Sequence, residues 1–150
     1  MDLCLYQPEI PQNLGTLLRL GACMGVGIRV IEPCGFVISD KKLRRSGMDY
    51  MDHVDLTLVE SWEAFLEQYK SRRIIALDTK GSVVYTDFTF QKDDILLLGQ
   101  EGNGLPDSVL AQTTHQVRIP MMPGMRSLNV AVSAAMVLGE ALRQTNRAYA

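Results

Sequence analysis

Short β-branched or leucine-rich runs recur along the chain and constrain its fold more than any other feature: Leu3 to Tyr6, Ile28 to Ile31, Val54 to Val59, Ile74 to Leu77, Ile95 to Leu98 and Val117 to Ile119. Between most of them lie segments of helical spacing. Leu14, Leu17, Leu18 and Gly21 give the first a buried stripe, and Trp62, Phe65, Leu66 and Tyr69 do the same for a later one. A strand that is apolar at successive positions has no face to offer water, so it must be covered on both sides. The expectation is an α/β fold, a mostly parallel sheet flanked by helices.

A chain of 150 residues with 47% apolar and 21% charged content fits one domain over residues 1–150 with a real core, and leaves no room for a separate substrate-recognition domain. The longest apolar runs are strand-length and Asp2 follows Met1 without a basic leader, so neither a membrane span nor a signal peptide is expected, and the expected location is cytoplasmic. Cys4, Cys23 and Cys34 lack both the spacing of a zinc site and the even number of a disulfide framework; buried thiols are expected, and no metal. A net charge of −2 argues against a generic nucleic-acid binder. One dense basic run, Lys41, Lys42, Arg44 and Arg45, stands out as either a solvated helix face or a local RNA contact. The tail from Thr145 to Ala150 reads as frayed.

The run at Leu96 to Leu98 ends in a loop with glycines at 99, 102 and 104, closing on Pro106. Missing Cβ atoms let backbone amides approach a ligand closely. Its order, Gly-x-x-Gly-x-Gly, lacks the long helix and later acidic residue of a dinucleotide fingerprint, and no Gly-Lys-Ser/Thr follows as in a P-loop. On the glycines alone an ordinary strand-exit turn is equally admissible. Two further segments bear on the choice: Arg126 to Ala135, which enters a helix through Ser127, Leu128 and Asn129, and Glu9 to Arg19, in which Asn13 precedes Arg19 by six residues on the opening helix.

These three ordered segments resemble the motifs of the SPOUT superfamily, the trefoil-knotted RNA methyltransferases that use S-adenosylmethionine, and the likeness runs from about Leu3 to about Leu142. Within it, the segments starting at Leu5, Ile31 and Lys41 look most like the short tRNA 2'-O-methyltransferases of the TrmL (YibK) group. The chain departs from that group at Gln100, where a proline is common, and at Gly139, where a tyrosine stands in the closing helix. The resemblance implies a C-terminal trefoil knot, which nothing in the periodicity indicates. It implies a cofactor pocket on Leu77, Gly99, Glu101, Gly102, Gly104, Ile119, Met121, Ser127 and Leu128, with S-adenosylhomocysteine as product and tRNA as partner. It also favours RNA contact for Lys41, Lys42, Arg44 and Arg45, with Arg126 as a further contact.

The reaction so implied is attack of a ribose 2'-hydroxyl, on the wobble pyrimidine of the anticodon, on the cofactor's methyl group; a different tRNA or rRNA ribose, or a non-catalytic RNA-binding module, are the alternatives. Its difficulty lies in deprotonating a weakly acidic hydroxyl. Arg19 is the expected catalytic centre, with Asn13, Ser127 and Asn129 beside it. A guanidinium rarely gives up its proton, so Arg19 is read as a charge clamp that positions phosphate and lowers the hydroxyl pKa. Ser127 also reads as a helix N-cap, Asn129 as local capping, and His53 and His115 as structural or surface residues. Finally, the segment from Leu128 to Arg143 is apolar on nearly every side, with Ala131, Ala134, Ala135 and Gly139 small enough to admit a second body, which predicts a homodimer.

Overall fold

The computed structural model describes residues 1–38 and 50–145. Their strands form one parallel sheet: β1 (Asp2–Tyr6), β2 (Gly27–Ile31), β3 (Leu56–Val59), β4 (Ile74–Leu77), β5 (Val83–Val84), β6 (Ile95–Leu98) and β7 (His115–Arg118), in the order β3-β2-β1-β6-β4-β7-β5. β6 pairs with β1 at Leu5↔Leu98 and with β4 at Leu77↔Leu98; β7 pairs with β4 on one side and β5 on the other. The two latest strands are therefore inserted on either side of β4. Both faces are covered, as continuous apolarity demands. Leu3, Leu5, Ile75, Leu96 and Leu98 pack with helices α1 (Pro11–Met24) and α4 (Val130–Gln144), while Cys4, Ala76, Ile95 and Leu97 pack with α2 (Trp62–Gln68) and α3 (Asp107–Leu110). Side chains alternate faces along each strand, so one run serves both cores.

Several elements differ from expectation, among them β7, which runs from His115 to Arg118 rather than from Val117 to Ile119. β3 starts at Leu56 because Val54 closes the 3-10 turn Met51–His53. β5 is two residues long, too short to carry a period. α4 starts at Val130, behind Asn129, whose Oδ1 accepts from Ala131 N (2.9 Å) and Val132 N (3.3 Å). Asn129 is thus the N-cap, and Ser127 is not. On α4, Ala131 and Ala134 face the protein's own core, so of the small residues only Ala135 and Gly139 stand on the outer face, beside exposed Val132 and Met136.

Charge gathers at the amino-terminal edge of the sheet. Arg29, 8% exposed, donates to Asp55 Oδ2 (2.6 Å) and Thr57 Oγ1 (2.8 Å) and lies 3.4 Å from Asp2, which Arg72 also engages. Arg73 forks onto buried Asp94 through two bonds of 2.8 Å. Such pairs hold strand starts together, and the carboxyl edge is left for ligands.

Candidate active site

Parallel strands bring all their carboxyl ends to one edge. There the turns after β4, β6 and β7 converge on an open cleft of about 810 Å³, within the range that holds small-molecule ligands. Leu77, Gly99, Glu101, Gly102, Gly104, Ile119, Met121, Ser127 and Leu128 all line it, as do Asn13, Asn129 and Arg126. Lys41, Lys42, Arg44 and Arg45 lie outside the described residues.

The glycines have separate reasons. A Cβ on Gly99 would stand 2.4 Å from the carbonyl carbon of Gly104, so its missing side chain serves the loop's own closure rather than a ligand. That closure is a two-bond bridge, Gln100 N to Gly104 O (3.0 Å) and Gly104 N to Gln100 O (2.9 Å). Gly104 adopts φ +68°, with open space where its Cβ would project, so here the loop presents bare backbone to the cleft.

One chain of hydrogen bonds ties the three motifs together. Glu9 N (2.7 Å), Ile10 N (3.3 Å) and Asn13 Nδ2 (3.1 Å) all donate to the Glu101 carboxylate. In return Gly102 N donates to Glu9 Oε2 (2.8 Å). Asn129 Nδ2 donates to Asn13 Oδ1 (3.0 Å). Helix α1 has no side-chain cap and no acid in its first turn, so the carboxylate of the distant glycine loop supplies the negative charge its amino terminus attracts. Asn13, 8% exposed, sits in that first turn and not at the cap. Its amide and that of Asn129 are committed to this tie, so both hold the cleft in shape.

Arg19 does not line the cleft. Six residues beyond Asn13, it is turned by about 120° around α1 and about 9 Å along it, which carries it to the exposed side, opposite Leu14 and Gly21. Its guanidinium lies over the Tyr50 ring, 5.1 Å from the centroid. Arg19, the expected catalytic centre, thus stands outside the cleft of its own chain.

Sequence reading missed the turn of Asp78, Thr79 and Lys80, which forms one wall. Asp78 Oδ1 accepts from Lys80 N (2.7 Å), and a Cβ on Gly81 would lie 2.6 Å from the Val117 carbonyl carbon. An Asx turn closed by a glycine was the available signal. Gln100 and Ser133 also line the cleft. His53 and His115 are exposed and outside it, His115 lying edge-on to Phe88 at 5.1 Å. Of the thiols, Cys4 is buried, Cys34 half-buried and Cys23 exposed. Burial, with Glu32 and Glu101 nearby, pushes Cys34 up to about 11. Among the described residues no cluster of His, Cys, Asp or Glu is set to hold a metal ion, and no helix is long and apolar enough to cross a membrane.

Fold and cleft together define a class: a parallel α/β protein that takes a small molecule outside the carboxyl ends of its strands, between backbone turns. The family follows from comparison with known proteins. A model of the SpoU rRNA Methylase family matches residues 1–139, and the chain belongs to that family. It is 58% identical over 144 residues to a tRNA (cytidine(34)-2'-O)-methyltransferase of Beijerinckia indica, covering 95% of this chain and 90% of that one. It is 40% identical over 146 residues to the enzyme of the same name from Escherichia coli K12, covering 96% and 93%. Among solved structures, one concerning the 2-OH methylation of C/U34 on tRNA matches with TM-score 0.90 and 44% identity over 95% of this chain and 94% of the other. The SpoU methyltransferase AviRb of Streptomyces viridochromogenes, in complex with the cofactor AdoMet, matches with TM-score 0.87 and 26% identity, over 96% of this chain and 60% of the other.

Proposed function

We propose that this chain is an S-adenosylmethionine-dependent tRNA methyltransferase that modifies the ribose 2'-hydroxyl of the pyrimidine at position 34, acting as a homodimer in the cytoplasm. The observation that carries the proposal is the hydrogen-bonded chain Glu101–Asn13–Asn129, which draws three segments, separated by 88 and 116 residues, around a single cleft. Relatives at 40% to 58% identity that carry the C34 name supply the substrate class.

The residues present fit the cofactor. Leu77, Ile119 and Leu128 offer apolar walls to an adenine face, and Gly104 leaves bare backbone with free space in front of it. When bound, S-adenosylmethionine supplies an electrophilic methyl group on a sulfonium sulfur. The leaving group is then a neutral thioether that needs no proton, so the protein's task is confined to the attacking hydroxyl. Arg19 serves it as a permanent positive charge: it holds the substrate phosphate and lowers the hydroxyl pKa, while the proton passes to that phosphate or to water. Ser127 and Arg126, both exposed on the cleft rim, face the incoming nucleotide.

Because Arg19 stands outside its own cleft, a second copy completes the site. The outer face of α4 exposes Val132 (50%) and Met136 (39%), and Leu128 (41%) carries that apolar surface to the rim. A partner seated there stands at the cleft mouth and brings its own Arg19. Removing that charge by Arg19→Ala abolishes turnover and leaves cofactor affinity intact.

A second reading, methylation of a ribosomal RNA ribose, draws on the family's description. Incubation with labelled cofactor and either total tRNA or deproteinised ribosomal RNA separates them. Label in tRNA is expected; label confined to ribosomal RNA overturns the choice of substrate.

A further inference from the structure

Arg19 is an exposed arginine on a helix, and among the described residues it makes no hydrogen bond or ion pair. Such a side chain samples many rotamers, and ordering it costs rotamer entropy. The structure shows what restrains it. The half-buried ring of Tyr50 lies 5.1 Å from the guanidinium carbon. The backbone of Tyr50 is anchored, since its carbonyl accepts from His53 N (3.0 Å) and opens the 3-10 turn Met51–His53, which lies against α1.

We infer that Tyr50 is a positioning residue for the methyl transfer, acting through Arg19: its ring face holds the guanidinium outward in the orientation that meets the target nucleotide. The inference rests on the role given to Arg19 above. Its physical basis is the attraction of a cation to an aromatic face within about 6 Å. A ring that attracts the cation takes no oxygen-bound hydrogen bond from it, so the guanidinium N–H groups stay free to donate to a phosphate or a developing alkoxide. A neighbouring carboxylate would restrain Arg19 equally well, but it would neutralise the charge and occupy those donors. An aromatic ring restrains it while doing neither. Tyr50 touches neither cofactor nor substrate in this scheme, so its effect belongs in kcat and not in cofactor binding.

The test is kinetic, on full-length protein. Tyr50→Leu is expected to lower kcat about tenfold, with the cofactor Kd and KM unchanged, and Tyr50→Phe to keep most of the activity. In an Arg19→Lys background, which cannot stack a planar fork, Tyr50→Leu is expected to cause no further loss. Should Tyr50→Leu fold poorly by thermal denaturation, mono-, di- and trifluorophenylalanine at position 50 keep the ring's shape and progressively weaken its negative face. Stepwise decline of kcat with fluorination then supports the inference, and an unchanged kcat overturns it. Wild-type kcat in Tyr50→Leu, or the same fold loss with and without Arg19→Lys, also overturns it while leaving Arg19's own role standing. Full turnover by Arg19→Ala instead removes the reading on which the inference rests.

Discussion

Both carboxylate oxygens of Glu101 are committed to the start of α1, and this makes a residue that reads as a cofactor contact a structural tie. Glu101→Ala is expected to destabilise the fold by about 1–2 kcal/mol, on the scale of a lost helix cap, and to lower Tm by roughly 2–8 °C in scanning calorimetry. The same change frees the glycine loop, so titration calorimetry should show weaker S-adenosylmethionine binding. Gly99→Ala acts more directly: its Cβ, 2.4 Å from the Gly104 carbonyl carbon, forces the loop open, and a loss of at least about tenfold in cofactor affinity is expected. The thiols give an independent check. With its pKa raised to about 11, Cys34 holds only about 0.1% thiolate at pH 8, so mass spectrometry after brief iodoacetamide treatment should find Cys23 alkylated well ahead of Cys34. Residue types near the site were legible in the sequence because glycine, asparagine and acid stand in motif order. The partners of Asn13, Asn129 and Glu101 were not, since nothing local records a bond between residues 88 or 116 positions apart.

The elements repeat this division. Apolar runs marked β1, β2, β4 and β6 to within a residue, because a strand covered on both faces is apolar almost throughout; in β2 the run is broken by Arg29, which is buried with its ionic partners. β5 escaped notice, since its two residues owe their place to pairing with β7. The start of α4 shifted by two residues because Asn129 outcompetes Ser127 as cap, a contest decided by which side chain reaches the Ala131 and Val132 amides. At the opposite edge, Arg29→Ala leaves Asp2 with one guanidinium fewer in a buried setting and is expected to cost about 3 kcal/mol by urea denaturation. The pH dependence has a definite sign there. The hydrogen bond from Arg29 holds the Asp55 carboxylate below its usual range, so this pair stabilises above the unfolded pKa of about 3.9 and is lost as pH falls through the lower folded value. Asp55 is 69% exposed at its side chain, so the effect stays below about 1 kcal/mol, and Asp55→Asn should flatten that part of the acid profile.

At the scale of the whole molecule, an α/β class was legible but the strand order was not. Insertion of β6 and β7 on both sides of β4 is a matter of connection that no periodicity encodes. The outer face of α4 was legible as an excess of apolar residues, although its inner half, with Ala131 and Ala134, serves the protein's own core. Val132→Glu places a charge at a half-exposed position and should yield a folded monomer by light scattering; a monomeric wild type at micromolar concentration removes the dimer. If Arg19 serves the partner's cleft, mixing inactive Arg19→Ala with Gly99→Ala chains, at a cofactor concentration too low to fill the altered cleft, restores about one quarter of wild-type turnover, since half the dimers are mixed and each holds one complete site. The measurement that bears most directly on the account is mass spectrometric mapping of unmodified tRNA after incubation with the protein and S-adenosylmethionine. A single 2'-O-methyl group on the pyrimidine at position 34, absent with Arg19→Ala, is the predicted result. A methyl group on a base, on another nucleotide, or on none at all while the cofactor binds, contradicts it.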